Sequence, residues 1–266
     1  MMKFIFLVSF ALFGAQQQRF YYEHSYFSDS LQFENMQHEV LYLDASKRGS
    51  VFYSSEILKS DSLRSITVKG FKIPYPKADF KNIIKYDNVK GQLINYQYPY
   101  AVVMDTSSPW KIDSETKTVF NYFVQKATKK IKGRTWTAWF TTEIPLSYGP
   151  YLLQGLPGLI VLAEDEKQTH RFILSGIKKL ETFDFDKIPS IPNVGRLKTV
   201  TSEAFREIYR NQIENPQSQS TGERSRFFDV NGKEISETEF YRNIKLNAAA
   251  ARKNNNNKLV YDFLKE

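Results

Sequence analysis

Three histidines, His24, His38 and His170, are all that this chain offers for imidazole chemistry, and it has no cysteine. A nucleophilic triad would need one of them beside an activated serine, yet no serine sits in a G-x-S-x-G elbow. His170 opens the stretch HRFILSG after an acidic turn and reads as a surface residue near Glu164 and Asp165. No two histidines stand at ligand spacing and no thiolate is available, so only carboxylate clusters such as AEDE and DFD are left for a metal. Asp229 and Asn231 echo a calcium loop, but the glycine falls at the wrong place for an EF-hand, and a hairpin accounts for them better. The sequence therefore names no catalytic group, no metal ligand and no cofactor. Carboxylates brought together from distant strands could still hydrolyse a glycosidic bond, a reading that spacing alone does not settle.

One constellation carries positive content. Lys126, Arg134, Trp136 and Trp139 fall on neighbouring stretches, and an arginine beside aromatic rings suits an anionic or amphiphilic ligand. The competing reading pairs Arg134 with a structural carboxylate such as Glu143 and packs the tryptophans. Within RTWTAWFTT a period of two puts Trp136, Ala138 and Phe140 on one side, and Thr135, Thr137, Trp139 and Thr141 on the other. Trp136 is then a core residue. Trp139 faces a half-polar surface that solvent, a ligand or another part of the chain must cover.

The elements that position these residues read as antiparallel β. Aromatic residues make up 15% of the chain, in short apolar runs separated by turn residues. Strands are expected at Glu39 to Asp44, Ser50 to Ser54, Leu63 to Lys69, Asn82 to Tyr86, Gly91 to Tyr96 and Tyr100 to Met104. Further strands are expected at Thr118 to Lys130, Thr135 to Thr142, Leu159 to Glu164 and His170 to Leu180. YDNVKGQ, Lys132-Gly133 and AEDEKQ supply the turns. The last third changes character: Ser202 caps a helix that ends at Asn215-Pro216, and QSQSTGERS is a polar loop. Asn231-Gly232 signals a two-residue hairpin, and Ser236 with Glu239 forms a capping box for a final helix.

Between the strands lies GPYLLQGLPGLIVL, Gly149 to Leu162. Pro145 and Pro150 lack ladder donors and Gly149 admits an unusual backbone, so the chain leaves the sheet there. Gly155, Pro157 and Gly158 make a second bend around Leu156, a core anchor, before Leu159 to Leu162 re-enter as a buried strand. Two bends and a re-entry describe a sheet edge or corner. Nothing here resembles a phosphate-cradling loop, which a lysine and a helix would follow.

KATKKIKGRTWTAWFTTEIPLSYGPYLLQGLPGLIV, together with the upstream WKIDSETK, resembles the signature of the GLPGLI family, also called Porph_ging, of exported Bacteroidetes proteins. The hexapeptide Gly155 to Ile160 stands letter for letter. The resemblance implies export, with the periplasm as the expected compartment, and brings no established catalytic residue or ligand. The ending NNNNKLVYDFLKE lacks the Asn-Pro-rich close of the family.

Export is also legible directly. MMKFIFLVSFALFGAQQQ has a charged Lys3, an apolar run too short for a bilayer span of about 20 residues, and Gly14-Ala15 before glutamines, the pattern of a signal peptide over residues 1–15. Lacking cysteine, the mature chain can carry neither disulfides nor a cysteine-linked lipid, and it has the length to bury a core without them. Lys and Arg outnumber Asp and Glu by 37 to 29, a net +8, and the densest run, KKIKGR, reads as a solvated hairpin tip. An exported chain with no binding motif is a poor candidate for nucleic acid. An acidic or amphiphilic partner fits the charge better.

These readings predict a mainly β fold with late helices (α+β): a curved antiparallel sheet or open half-barrel, shaped like the periplasmic lipoprotein carriers. The β domain runs over residues 16–200, followed by a helical and hairpin extension over 201–266 that packs on the sheet. The expected function is a soluble, non-enzymatic binding or carrier module for an apolar or anionic amphiphilic ligand. A factor that docks on an envelope protein, or a hydrolase without a recognisable motif, are the alternatives.

Overall fold

A computed structural model describes residues 17–29, 31, 33–59, 78–105, 107–191, 194–214, 226–229, 231–254, 256, 257 and 259. The expected strand at Leu63 to Lys69, the polar loop after Pro216 and the signal peptide lie outside the described residues. The fold is mainly β, 47% strand and 17% helix, built on one large, curved, unclosed sheet.

That sheet has twelve strands. They are Gln18–Phe27 (β1), Met36–Ala45 (β2), Gly49–Ser54 (β3), Ile83–Asp87 (β4), Gln92–Gln97 (β5) and Tyr100–Met104 (β6), then Lys111–Val119 (β7), Tyr122–Ile131 (β8), Arg134–Thr141 (β9), Leu159–Asp165 (β10), His170–Lys179 (β11) and Lys198–Thr201 (β12). Their spatial order is β12-β6-β5-β4-β3-β2-β1-β11-β10-β9-β8-β7. All pairs are antiparallel and consecutive in the chain except two: β1 closes onto β11 and joins the two halves, and β12 runs parallel to β6. Two further strands, Phe227–Phe228 (β13) and Glu234–Ile235 (β14), form a separate ribbon, while Ser202–Glu214 (α1) and Glu237–Asn254 (α2) are the long late helices.

The expectations fail where turn chemistry was hidden. Thr118 to Lys130 is not one strand: Phe120 (φ 48) and Asn121 (φ 68) turn the chain between β7 and β8 in the conformation that Lys132 (φ 48) and Gly133 (φ 77) adopt between β8 and β9. Asp229 lengthens the β13–β14 connection beyond two residues, because its Oδ1 accepts the N–H groups of Asn231 and Lys233. Thr201 Oγ1, one residue before the expected cap, accepts the Ala204 N–H at the start of α1. The second capping motif forms as read, Ser236 Oγ accepting the Glu239 N–H at 3.2 Å.

Both faces of the sheet carry a core. The larger one gathers Phe20, Tyr22, Leu41, Leu43, Phe52 and Ile84 with Trp136, Phe140 and Phe172. Val51, Tyr53, Ile83, Tyr96 and Ala101 of the opposite face pack with Phe185 and Ile188.

Leu159 to Leu162 is a buried strand, but it lies in the sheet interior, between β9 and β11, and not at an edge or corner. Strands β9 and β10 are sheet neighbours, so the residues between them are not needed to span distance and fold back across the larger core instead. Tyr148, Tyr151, Leu152, Leu153 and Leu156 of this loop are all buried. The Tyr148 hydroxyl donates to the Ser46 carbonyl at 2.8 Å and its ring meets Tyr86, on the far half of the sheet. Tyr22, in the central strand, donates from its hydroxyl to the Ile160 carbonyl at 2.6 Å. The loop therefore ties both halves of the sheet through its own side chains.

Candidate functional site

Register decides which of the predicted site residues can meet. Lys126 stands opposite Trp139, and Lys129 opposite Trp136, so Lys126 and Trp139 share one face while Arg134 and Trp136 share the other. The expected quartet is thus split by the thickness of the sheet. On the first face the Lys117 ammonium lies 3.7 Å from the Trp139 ring centroid and that of Lys126 lies 5.9 Å away, leaving the indole 6% exposed. The chain itself covers Trp139. Lys126 also binds the Glu115 carboxylate at 2.6 Å, whereas Lys117 forms no ion pair among the described residues.

Arg134 pairs with Asp165 at 2.9 Å, not with Glu143, whose Oε1 accepts the Phe123 N–H. The reason is again register: Asp165 faces Trp136 across β9 and β10, on the side that Arg134 occupies. Nor is the basic run from Lys129 to Arg134 a wholly solvated tip. It alternates, with Lys129 and Arg134 buried and Lys130 exposed. Burial pushes the Lys129 ammonium down from its ordinary range.

Asp165 and Arg134 are the hub of a buried polar network. Asp165 Oδ1 accepts the N–H groups of Thr169 and His170 at 2.6 and 2.8 Å, and its Oδ2 accepts the Thr169 hydroxyl. Arg134 Nη2 donates to the carbonyl and the side-chain oxygen of Asn257. His170, expected at the surface, is 1% exposed; it does sit beside Asp165, but packed against the rings of Tyr26 and Trp136. Its Nδ1 meets His24 Nε2 at 3.0 Å and its Nε2 meets the Asn257 carbonyl at 2.7 Å. A carbonyl only accepts, so in the neutral pair His170 carries its proton on Nε2 and His24 donates from Nε2. His24 Nδ1 is left buried without a partner. Stacked between Tyr26 and Phe172, the imidazole of His24 is held far below its ordinary pKa, by burial first and the neighbouring His170 second. Sequence reasoning passed over His24 because β1, QRFYYEHSYF, was not recognised as a strand; the alternation of Phe20, Tyr22, His24 and Tyr26 was the available signal.

No group of three or more His, Cys, Asp or Glu side chains that could hold a metal ion occurs among the described residues. Glu39 is the remaining perturbed acid of this region. Burial pushes its carboxyl up, while Ser54 and the Phe80 N–H donate to it and oppose the shift.

In the glycine-proline loop Pro150 and Leu156 are buried and Pro157 is exposed, while Gly149, Gly155 and Gly158 each meet a backbone constraint. A Cβ on Gly149 would lie 2.5 Å from the Leu153 carbonyl oxygen, and one on Gly158 would lie 2.0 Å from that of Thr141. Gly155 takes φ +94, which other residues rarely adopt. Gln154 closes the loop from inside, its amide donating to the Gly149 carbonyl and accepting the Gly149 N–H.

The most open part of this region is the β7–β8 hairpin, at one edge of the sheet. Phe120 at its tip is 58% exposed, and Phe123 and Ile112 are 62% and 47% exposed. Phe123 and Ile112 lie in register with the face of β8 that carries Ala127, so they extend the apolar side of the strand beyond what the loop covers.

The Porph_ging family model, described as a protein of unknown function, matches residues 129–162. The Porph_ging match runs from Lys129 in β8, through β9 and the whole glycine-proline loop, to Leu162 in β10. It includes Arg134 and Trp136 but stops short of Asp165 and His170. No curated protein matches the chain. Two solved structures share its fold: PNGF-II in a C2 crystal form, at 14% identity and a TM-score of 0.51, and PNGF-II in a P21 form, at 16% and 0.50. Each likeness covers 73% of this chain, which spans only 32% and 33% of the PNGF-II chains.

Proposed function

We propose that this chain is an exported, non-enzymatic binding module for an apolar or anionic amphiphilic ligand, and that the β7–β8 hairpin is its contact surface. The observation that supports this reading is the exposure of Phe120, Phe123 and Ile112 on one hairpin, with the backbone of Phe120 in the left-handed region. A non-glycine residue there costs about 1–2 kcal/mol. A large apolar side chain held at that cost in solvent is economical only where something covers it. Lys117 lies on the reverse face and so does not meet a group seated against Phe123 and Ile112; its ammonium, held over the Trp139 ring and engaged by no carboxylate among the described residues, adds positive potential at this edge of the sheet.

Export supports the reading from the sequence side: the apolar leader fits a chain that works in the periplasm or outside the cell. No helix among the described residues is long and apolar enough to cross a membrane. A second reading, an envelope protein as partner, draws on the outer edge of β7, which among the described residues pairs only with β8 and leaves backbone donors and acceptors for strand addition.

A dansyl-labelled fatty acid titrated into the protein tests the proposal. Saturable binding, lost on combining Phe120→Ser with Phe123→Ser and weakened by Lys117→Gln, is expected. Absence of binding, or binding indifferent to all three substitutions, overturns it.

A further inference from the structure

Strand β7 ends the sheet order, and the two-residue turn at Phe120 and Asn121 fixes which of its backbone groups are spent. Val119 faces Tyr122 across that turn and exchanges both hydrogen bonds with it, as Lys117 does with Val124. Thr116 and Thr118, the alternate residues, therefore turn their N–H and C=O groups to the outer edge. Further back the edge is closed. The register shifts between Ile112 and Thr116, where the Asp113 carboxylate accepts the Glu115 N–H at 3.1 Å and the Asp113 carbonyl accepts the Gln125 amide at 2.7 Å. A bulge interrupts pairing, so the open ladder is the short run from Thr116 to Thr118.

The side chains along that run limit what can join it. Thr116 and Thr118 lie on the face of Gln125 and Phe123, and the Phe123 ring beside Thr118 is exposed. Lys117 lies on the other face, exposed, its ammonium over the Trp139 ring and in no ion pair among the described residues. The neighbouring carboxylate, Glu115, is taken by Lys126. A second copy of β7 is a poor match. Antiparallel pairing that uses all the open groups sets Thr116 against Thr118 of the copy and, by the same register, Lys117 against its own counterpart, and like charges directly opposite each other repel. Shifting the copy by two residues sets Lys117 against Glu115 but turns Thr118 toward Ser114, inside the bulge.

We propose that the Thr116 to Thr118 edge of β7 takes an added antiparallel strand from a different protein, an acidic segment with one carboxylate facing Lys117 and β-branched or apolar residues facing Thr116 and Thr118. The preference for acid presupposes that this edge accepts a strand at all, as the second reading has it. Backbone pairing supplies affinity that is indifferent to sequence, and the pair with Lys117 supplies the choice of partner. Trp139 sharpens that choice: an ammonium already held over an indole loses little freedom when it meets a carboxylate. The apolar residues of the added strand stand in a row with Phe123 and cover it.

Fluorescein-labelled peptides STVEVTS and STVKVTS, titrated with the full chain and followed by anisotropy, test the proposal. The glutamate peptide is expected to bind saturably and about fivefold more tightly than the lysine peptide, the swing between an attractive and a repulsive cross-strand pair. Lys117→Glu, a change of one exposed side chain, is expected to reverse that order. Methylating the backbone nitrogens of both valines, whose N–H groups meet Thr116 and Thr118 in the added strand, is expected to abolish binding without altering the protein. Equal binding of the two peptides, lost on methylation, overturns the acidic preference and leaves strand addition standing. A glutamate preference that Lys117→Glu does not change also overturns it. Binding that survives methylation, or no binding of either peptide, overturns the preference and strand addition together.

Discussion

Gly158 lies so close to Thr141 that a Cβ on it would sit 2.0 Å from the Thr141 carbonyl oxygen and 2.6 Å from its carbonyl carbon. Backbone cannot yield there without moving β9 away from β10. Gly155 is the opposite case, with φ +94 and open space where a Cβ would go. Alanine is therefore expected to cost roughly 3 kcal/mol or more at Gly158, through displaced strands, and roughly 1–2 kcal/mol at Gly155, through backbone conformation alone. Urea denaturation of the two variants checks the order. Equal losses would mean that the loop relaxes freely and does not key the two halves of the sheet.

Acid should unfold this protein through His24. Its native pKa is depressed by burial and by His170, while in the unfolded chain it returns to about 6.5. The sign follows: above about pH 6.5 neither state binds this proton and stability is level, and below it the unfolded state binds the proton first, so stability falls until the native pKa is passed. His24→Phe keeps the stack with Tyr26 and Phe172 and removes the titration. Thermal unfolding between pH 7 and pH 5 should show a decline that the variant reduces.

Asp165 accepts from Arg134, the Thr169 hydroxyl and two backbone N–H groups, all of them buried. Removing the guanidinium leaves a buried carboxylate short of its counter-charge, and such losses run to about 3–5 kcal/mol. Arg134→Met is expected to fall in that range, and Asp165→Asn added to it should recover part of the loss, because the surviving charge disappears. A double-mutant cycle in denaturant measures the recovery. Strict additivity would show that the two side chains are not coupled.

Much of this architecture was readable because its strands alternate and its turns carry glycine or asparagine. The stretch Tyr100 to Met104 was placed to the residue, and the glycine-proline loop was located with Leu156 as its anchor. What stayed hidden had physical causes. Strand β7, KIDSETKTV, has no buried residue and so no apolar period; it owes its existence to the ladder with β8. Strand β1 is central, yet its buried face includes a histidine, and pairing that histidine with His170 joins positions 146 residues apart. The same holds for the site. Spacing along RTWTAWFTT fixed which tryptophan faces which way, but the Arg134 partner depended on the register of β10, and Asn257 lies 123 residues from the guanidinium it binds. Register and long-range closure are properties of the folded sheet, and no local pattern encodes them.

Phe120 offers the last test, since there stability and function should pull apart. The turn needs positive φ at both central positions, a conformation that asparagine and glycine accept readily and phenylalanine does not. The ring is 58% exposed and so contributes little burial in return. Phe120→Asn is expected to stabilise the fold by about 1 kcal/mol, raising the melting temperature by a few degrees. The same substitution should weaken binding of the dansyl-labelled fatty acid severalfold, because it removes the apolar tip. A rise in melting temperature with unchanged binding would place the ligand elsewhere. A fall in melting temperature would mean that the ring packs in solution against a part of the chain it does not touch here.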